Sequence, residues 1–283
     1  MKKYQLGLYE KAMPKQLTWD EKFHCAKKHG FDSIEISIDE TEEKLARLDM
    51  PPENRKELVD AMFQSGVRIR TMCLSGHRKY PLGSSKAEER DRAMSIMKKA
   101  IDFADDIGIK IIQLAGYDVY YEESNEETKN YFEKNLRKAV EMAASKGVIL
   151  AFETMETEFM NTVGKAMKYV NVIKSPFLQV YPDCGNITNA ILDQERIAAD
   201  FYKGNGHLAA MHLKETIPGK FREIEFGTGH VNFEEVIKIA WDLGVRNFTT
   251  EFWYTGNENW EQVIQNTKKY IDEKFEQALK GNN

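Results

Sequence analysis

The amino-acid sequence predicts an α/β fold, a (β/α)8 TIM barrel, and two observations support this prediction. Short apolar runs alternate eight times with longer amphipathic stretches along the 283 residues, as parallel strands alternate with their connecting helices in a barrel. Five of the amphipathic stretches end in a glycine just before the next apolar run, where a left-handed residue caps a helix. A doubly wound open sheet is the structural alternative, but eight units are many for such a sheet.

The apolar runs define eight predicted strands: Gln5–Tyr9, Ser33–Ser37, Val67–Ser75, Lys110–Ala115, Val148–Glu153, Leu178–Asp183, Leu208–His212 and Asn247–Phe252. Helices are predicted to begin near Trp19, Pro52, Lys86, Glu126, Val163, Ile191, Asn232 and Glu258. The capping glycines are Gly30, Gly66, Gly108, Gly147 and Gly244. Because no long Pro/Gly/Ser linker or composition break divides the chain, residues 1–283 are predicted to form one domain.

Composition and charge exclude several classes of protein. No run reaches the roughly 18 apolar residues that a membrane-spanning helix needs. The 40 Lys and Arg against 45 Asp and Glu give a net charge of −5, which argues against nucleic acid as a partner. The three cysteines, Cys25, Cys73 and Cys184, are an odd number with wide spacing, which is typical of reduced thiols. We therefore expect a cytoplasmic protein with neither a membrane nor a nucleic-acid partner.

Four consecutive predicted strands, the fifth to the eighth, end in residues that can bind a metal: Glu153, Asp183, His212 and Glu251. The active site of a TIM barrel lies at the carboxyl ends of its strands, so these four side chains are expected to meet. Three carboxylates and one imidazole suit Mn²⁺, Mg²⁺ or Co²⁺, and they also accept Zn²⁺. The sequence therefore predicts one divalent metal ion, whose identity it leaves open.

Two of these ligands, Glu153 and Glu251, also predict the chemistry. Removal of a proton next to a carbonyl builds negative charge on oxygen, which a divalent cation stabilises. One carboxylate can remove the proton from one face while the other returns a proton to the opposite face, so that a stereocentre is inverted. Which of the two acts as acid and which as base is left open. Glu35, at the predicted end of the second strand, and Lys214 are further candidates for substrate hydrogen bonds.

A group of cationic and hydroxyl residues follows the third predicted strand. Ser75, His77 and Arg78 come first, and Ser84–Ser85 then open a helix. Serine at a helix N-terminus beside basic residues is typical of an anion pocket. Lys11, at the end of the first strand, can face the same mouth of the barrel. We therefore predict that Lys11, Ser75, His77 and Arg78 bind the phosphate of a substrate.

Seven short segments along the chain carry a family resemblance: Leu6–Ala12, Cys73–Arg78, Pro81–Ser84, Gln113–Tyr121, Tyr181–Asp183, Gly185–Asn186 and Phe226–Gly229. They resemble the xylose-isomerase-like TIM barrel superfamily and, more narrowly, the L-xylulose-5-phosphate 3-epimerases of L-ascorbate catabolism, also called L-ribulose-5-phosphate 3-epimerases. The resemblance implies a homodimeric enzyme of carbohydrate metabolism that acts on a sugar phosphate. It also implies that Glu153, Asp183, His212 and Glu251 hold the metal, with Glu153 and Glu251 as the catalytic pair.

Two positions differ from the free-sugar 3-epimerases of the same superfamily. Those relatives have a histidine three residues after the metal-binding aspartate, where this chain has Asn186. They have an arginine six residues after the histidine ligand, where this chain has Pro218. Both differences favour a sugar phosphate over a free sugar.

The predicted function is the metal-dependent 3-epimerisation of a ketopentose 5-phosphate, L-xylulose 5-phosphate to L-ribulose 5-phosphate. The resemblance implies C3 proton abstraction through a metal-chelated enediolate. An aldose–ketose isomerase, or an epimerase for another ketose or ketose phosphate, is the near alternative. A non-catalytic sugar-phosphate-binding protein is disfavoured by the two opposed glutamates. An abasic-site endonuclease is the distant alternative, because that chemistry uses more histidine ligands and a basic face.

Overall fold

The computed structural model describes residues 3–280, which form an eight-stranded parallel sheet closed into a barrel. The strands are β1 (Gln5–Tyr9), β2 (Ser33–Ile38), β3 (Arg68–Leu74), β4 (Ile111–Ala115), β5 (Ile149–Glu153), β6 (Leu178–Tyr181), β7 (Met211–Leu213) and β8 (Asn247–Thr250). Their order is β6-β5-β4-β3-β2-β1-β8-β7, so the first strand pairs with the last. This pairing confirms the TIM barrel and excludes the open doubly wound sheet.

Ten α-helices surround the sheet within the described range: α1 (Trp19–Lys28), α2 (Glu42–Leu45), α3 (Pro52–Ser65), α4 (Ala87–Ile107), α5 (Glu126–Lys146), α6 (Val163–Ile173), α7 (Cys184–Ile191), α8 (Gln194–Tyr202), α9 (Phe233–Asp242) and α10 (Trp260–Ala278). Seven of the eight predicted helix starts are confirmed to within two residues. The start near Ile191 is wrong, because that residue ends α7 and the next helix begins at Gln194.

The predicted glycine caps are confirmed by their backbone conformation. Gly108 and Gly147, which follow α4 and α5, have φ values of 84° and 67°, and the other three predicted capping glycines also have positive φ. An L-residue with a side chain is strained in this region, whereas glycine adopts it freely. Each cap lets the chain turn at once into the next strand, which brings successive strands into parallel register.

The barrel is irregular between β6 and β7. These strands share no continuous ladder and meet through two isolated bridges, Val180 with Leu208 and Asp183 with His212. The backbone N–H of His212 donates to the carbonyl of Pro182 at 2.9 Å. The seventh strand consequently begins at Met211, three residues later than predicted. Asp183 and His212 therefore face each other across the weakest junction of the barrel.

A cluster of ion pairs lies buried where β1 and β2 end. The carboxylate of Glu10 accepts from Lys22 Nζ at 2.8 Å, from Lys44 Nζ at 2.9 Å and from Arg47 Nη1 at 2.7 Å. Its Oε2 also accepts from the backbone N–H of Ser37 at 2.9 Å. We refer to Glu10 and its three cations as the Glu10 cluster. It ties the turn after β1 to helices α1 and α2.

The apolar side chains of the strands and of the inner helix faces form the main core. Inside the barrel, a smaller cluster combines the large residues Ile111 and Tyr181 with Ala151 and Ala210, so that the interior is filled rather than open. None of the helices within residues 3–280 is both long and apolar enough to span a membrane.

Candidate metal centre

The four strand-end residues predicted to bind a metal come together at the carboxyl end of the barrel. Glu153 is the last residue of β5, His212 is the middle residue of β7, and Glu251 directly follows β8. Asp183 lies two residues beyond β6. One ligand atom from each side chain lies within 4.8 Å of every other, and all four side chains are buried. The barrel thus concentrates three carboxylates and one imidazole in a small volume.

Asp183 is oriented by the helix that it begins. As the N-cap of α7, it accepts from the backbone N–H of Asn186 through Oδ1 at 2.7 Å. Its own N–H donates to the hydroxyl of Thr154 at 2.9 Å. Because Oδ1 is engaged with the helix, Oδ2 faces the other ligands, where Lys214 Nζ lies 2.8 Å away. The cap therefore fixes which oxygen points into the centre.

His212 has one ring nitrogen engaged and one available. Nε2 lies 2.6 Å from Oε1 of Glu35. Nδ1 lies 3.3 Å from Glu251 Oε2 and 3.4 Å from Glu153 Oε1, and among the described residues it makes no hydrogen bond although it is buried. A buried, unpaired nitrogen surrounded by carboxylate oxygens is the arrangement that a bound cation would complete. The residues present therefore fit a divalent metal ion.

The electrostatics of the centre also fit a cation. Burial raises the pKa of Asp183 to about 8, although Lys214 opposes this shift. Burial and the charge of Glu251 raise the pKa of Glu153. Burial favours the neutral forms of His212 and Lys214, yet the surrounding acidic groups raise the pKa of both. For Glu251, Lys214 and His212 outweigh burial and lower its pKa. The buried carboxylates thus stabilise the positively charged forms of neighbouring groups.

A cavity of about 50 Å³ opens beside the four ligands. Its lining includes Glu153 and Glu251 together with three of the four residues predicted to bind phosphate, Lys11, Ser75 and Arg78. The proposed acid/base pair and a set of phosphate-compatible groups therefore share one cavity.

Two of the cationic side chains in this cavity have partners on neighbouring loops. The ammonium of Lys11 pairs with Asp39 at 2.6 Å. The guanidinium of Arg78 lies 4.9 Å from the ring centroid of Tyr120, and its Nε is buried without a hydrogen-bond partner among the described residues. Arg78 therefore retains donor capacity that an anionic ligand can use.

The structure corrects the prediction for His77. Its ring lies against α4, where Nε2 is 3.1 Å from the carbonyl oxygen of Ala93, and the residue is absent from the lining of the cavity. Burial lowers the pKa of His77 to about 4, so the ring is neutral near pH 7. The structure therefore does not bring His77 together with the other three residues predicted to bind phosphate.

The predicted anion pocket at Ser84–Ser85 is also corrected. The N-cap of α4 is Lys86 rather than either serine. The carboxylate of Glu122 accepts from the Ser84 hydroxyl and from the backbone N–H of Ser85. An acidic side chain of the protein therefore occupies the position that was predicted for a phosphate.

Further residues line the cavity, and two of them, Phe221 and Arg222, had no clear signal in the sequence. Arg222 and Phe221, from the long connection between β7 and α9, line the cavity. Asn186 lines it as well; its Nδ2 donates to the carbonyl of Thr154 at 2.8 Å, and its Oδ1 is buried without a partner among the described residues. Lys214 lines the same cavity, and its contact with a substrate stays a prediction.

Comparisons with known proteins place this geometry in a family. Residues 23–274 match the family model described as xylose isomerase-like TIM barrel. L-ribulose-5-phosphate 3-epimerase UlaE from Escherichia coli (strain SMS-3-5 / SECEC) is 41% identical over 278 residues, which cover 98% of this chain and 97% of the relative. UlaE from Shigella boydii serotype 18 matches with the same identity and coverage.

Among solved structures, 3-keto-D-glucoside 4-epimerase YcjR from E. coli superimposes with a TM-score of 0.78 at 17% identity, over 96% of this chain and 100% of that one. An identity this low supports the fold alone. The family model and the UlaE relatives each cover most of the sequence, so the chain belongs to the xylose isomerase-like TIM barrel family.

Proposed function

We propose that this protein is a metal-dependent 3-epimerase that interconverts L-xylulose 5-phosphate and L-ribulose 5-phosphate. One observation carries the proposal: Glu153 and Glu251 line the same cavity as Lys11, Ser75 and Arg78. Two carboxylates suit proton transfer at a carbon centre, and the cationic groups suit a phosphate. The UlaE relatives, which are named L-ribulose-5-phosphate 3-epimerases, support the same substrate class.

Glu153, Asp183, His212 and Glu251 would hold the metal ion. When bound, a divalent cation acts as a Lewis acid that stabilises negative charge on the substrate oxygens. The donor set of three carboxylates and one imidazole favours Mn²⁺, Mg²⁺ or Co²⁺ and accepts Zn²⁺.

The two glutamates move the proton. One carboxylate removes the proton from C3, which leaves an enediolate, and the other delivers a proton to the opposite face of the same carbon. The reverse reaction exchanges these roles. Both side chains are buried, so bulk water has little access to the proton that is being transferred.

The polar lining of the cavity orients the substrate. Arg78 and Lys11 supply positive charge, and Ser75 a hydroxyl donor, for the phosphate. Asn186 is held by its amide nitrogen, so its unpaired Oδ1 accepts a hydrogen bond from a sugar hydroxyl. In this proposal the phosphate and the sugar contact different side chains of one cavity. We further propose that the enzyme acts in the cytoplasm as a homodimer in L-ascorbate catabolism, as the family resemblance implies.

The reaction is tested by NMR with the purified, Mn²⁺-loaded protein and L-xylulose 5-phosphate in D₂O, after removal of the metal before spectra are recorded. We expect L-ribulose 5-phosphate to appear with deuterium at C3. Deuterium at C1 alone would show an aldose–ketose isomerase and contradict the proposal. Free L-xylulose serves as the control substrate, and its turnover is expected to be much slower because it lacks the phosphate.

A further inference from the structure

Glu35 lies next to the metal centre, and the proposed reaction does not use it. The side chain is buried in the middle of β2 rather than at its end. Its Oε1 is 2.6 Å from His212 Nε2, on the opposite edge of the imidazole from Nδ1. Its Oε2 accepts from the hydroxyl of Thr71 at 2.7 Å and from that of Tyr181 at 3.0 Å. Both carboxylate oxygens are therefore engaged.

This contact determines where the imidazole carries its proton. The carboxylate of Glu35 already accepts two hydroxyl hydrogen bonds through Oε2, and with Oε1 as a further acceptor the nitrogen that faces it is the donor. With the proton on Nε2, the lone pair of a neutral ring is on Nδ1, which faces Glu153 and Glu251. A carboxylate on the distal nitrogen both orients a ligating histidine and increases its basicity.

The carboxylate of Glu35 is itself held in place. Tyr181, which donates to it, also shares a hydrogen bond of 2.9 Å with Thr249. The Tyr181 ring packs against the imidazole of His212 with 4.8 Å between centroids. Groups from β2, β3, β6, β7 and β8 thus form one network inside the barrel. Such a network has little freedom to reorient when a metal binds or leaves.

We propose that Glu35 is a positioning residue, which fixes the tautomer and orientation of His212 so that Nδ1, and not Nε2, binds the metal. The inference rests on the metal site of the proposed function. It goes beyond that function by assigning the coordinating nitrogen and the residue that selects it.

The first test needs no substitution. The protein is labelled with ¹⁵N-histidine and loaded with Zn²⁺, which is diamagnetic, and the ring nitrogens of His212 are assigned by comparison with His212→Gln. We expect a protonated Nε2 and a metal-bound Nδ1. Metal bound at Nε2 would overturn the inference.

The second test uses Glu35→Gln, whose neutral amide can donate as well as accept and so no longer selects one tautomer. We expect the Mn²⁺ dissociation constant of the metal-free protein, measured by calorimetry, to rise by about 10- to 100-fold. The double substitution Thr71→Val with Tyr181→Phe frees Glu35 without removing it and is expected to give a smaller rise. Unchanged affinity in Glu35→Gln would refute the role.

Glu10→Gln is the matched control, because it also removes a buried carboxylate but contacts none of the four ligands. We expect its Mn²⁺ affinity to stay within about twofold of wild type, even where its melting temperature falls. A similar loss in both variants would indicate general destabilisation and overturn the inference. If the wild-type protein binds no Mn²⁺, the proposed metal site fails and this inference fails with it.

Discussion

Two buried charge clusters at the same end of the barrel differ in how their charges are balanced. In the Glu10 cluster, one carboxylate meets three cations, Lys22, Lys44 and Arg47. Burial alone would raise the pKa of Glu10, but the three cations together hold it well below its ordinary range. The chain itself supplies all the positive charge that this carboxylate needs.

At the metal centre, Glu153, Asp183 and Glu251 share the single ammonium of Lys214 and the ring of His212. Glu35 adds a fourth buried carboxylate in contact with His212, so the acidic side chains outnumber the basic ones at this centre. Burial of charge therefore does not by itself mark a functional site. The distinguishing feature of the candidate metal centre is an excess of carboxylates over cationic side chains among the described residues.

The largest expected effect is on catalytic activity, which is expected to depend on the candidate metal centre and not on the Glu10 cluster. Glu153→Gln removes a carboxylate that the proposed mechanism needs for proton transfer, so we expect kcat to fall about 1,000-fold, within the range of general acid–base catalysis. The rate at which the opposite epimer forms, measured by NMR at saturating Mn²⁺, checks this result. Retention of more than a tenth of the wild-type rate would exclude Glu153 as an acid or base.

The second expected effect is on stability. Glu10→Gln leaves the buried ammonium of Lys22 without its carboxylate, and we expect the free energy of unfolding in urea to fall by about 3 kcal/mol. The kcat of the folded, Mn²⁺-loaded variant is expected to stay near the wild-type value. A parallel loss of kcat would show that the Glu10 cluster is not purely structural.

The third expected effect is on the pH dependence of stability, which is expected to have opposite signs for the two clusters. Since the pKa of Asp183 is raised from 3.8 to about 8, the folded metal-free protein binds more protons than the unfolded chain between these values. The metal-free protein should therefore lose stability as the pH rises through this window. By calorimetry we expect its melting temperature to fall by about 2 °C from pH 5 to pH 8, as a loss of about 1 kcal/mol would produce.

Saturating Mn²⁺ is expected to remove this dependence, because the metal replaces the protons. The Glu10 cluster has the opposite sign: its carboxylate has a lowered pKa, so its stabilisation is complete above the ordinary value of 4.5 and is lost as the pH falls toward the folded value. If the metal-free protein were most stable at pH 8, the charge imbalance inferred for the centre would be wrong.

The positions of the strands and of the four ligand candidates could be predicted from the sequence, because they depend on local patterns. Alternating apolar runs and glycine caps locate each strand, and the barrel places every strand end on one face. Glu153 and Glu251 are visible for this reason as acidic residues at the ends of buried runs. Even the shortened β7 leaves His212 on the correct face.

The remaining features depend on contacts between distant parts of the chain or on side-chain direction. Glu35 meets His212 across 177 residues, so its role as a partner could not be predicted from its position within β2. His77 lies in a 3₁₀ turn, where one step of the backbone decides whether a ring faces the cavity or α4. Asp183 both ends the β6 region and caps α7, and this double use concealed the helix that follows it.

The position of the candidate metal centre at the junction between β6 and β7 has a consequence for the stability of the barrel. Asp183 lies on one side of the junction and His212 on the other, joined by an isolated bridge rather than a ladder. An ion bound by both residues would link β6 to β7. Metal binding and separation of these two strands would then be coupled. Binding of the ion would therefore also reduce how often β6 and β7 separate.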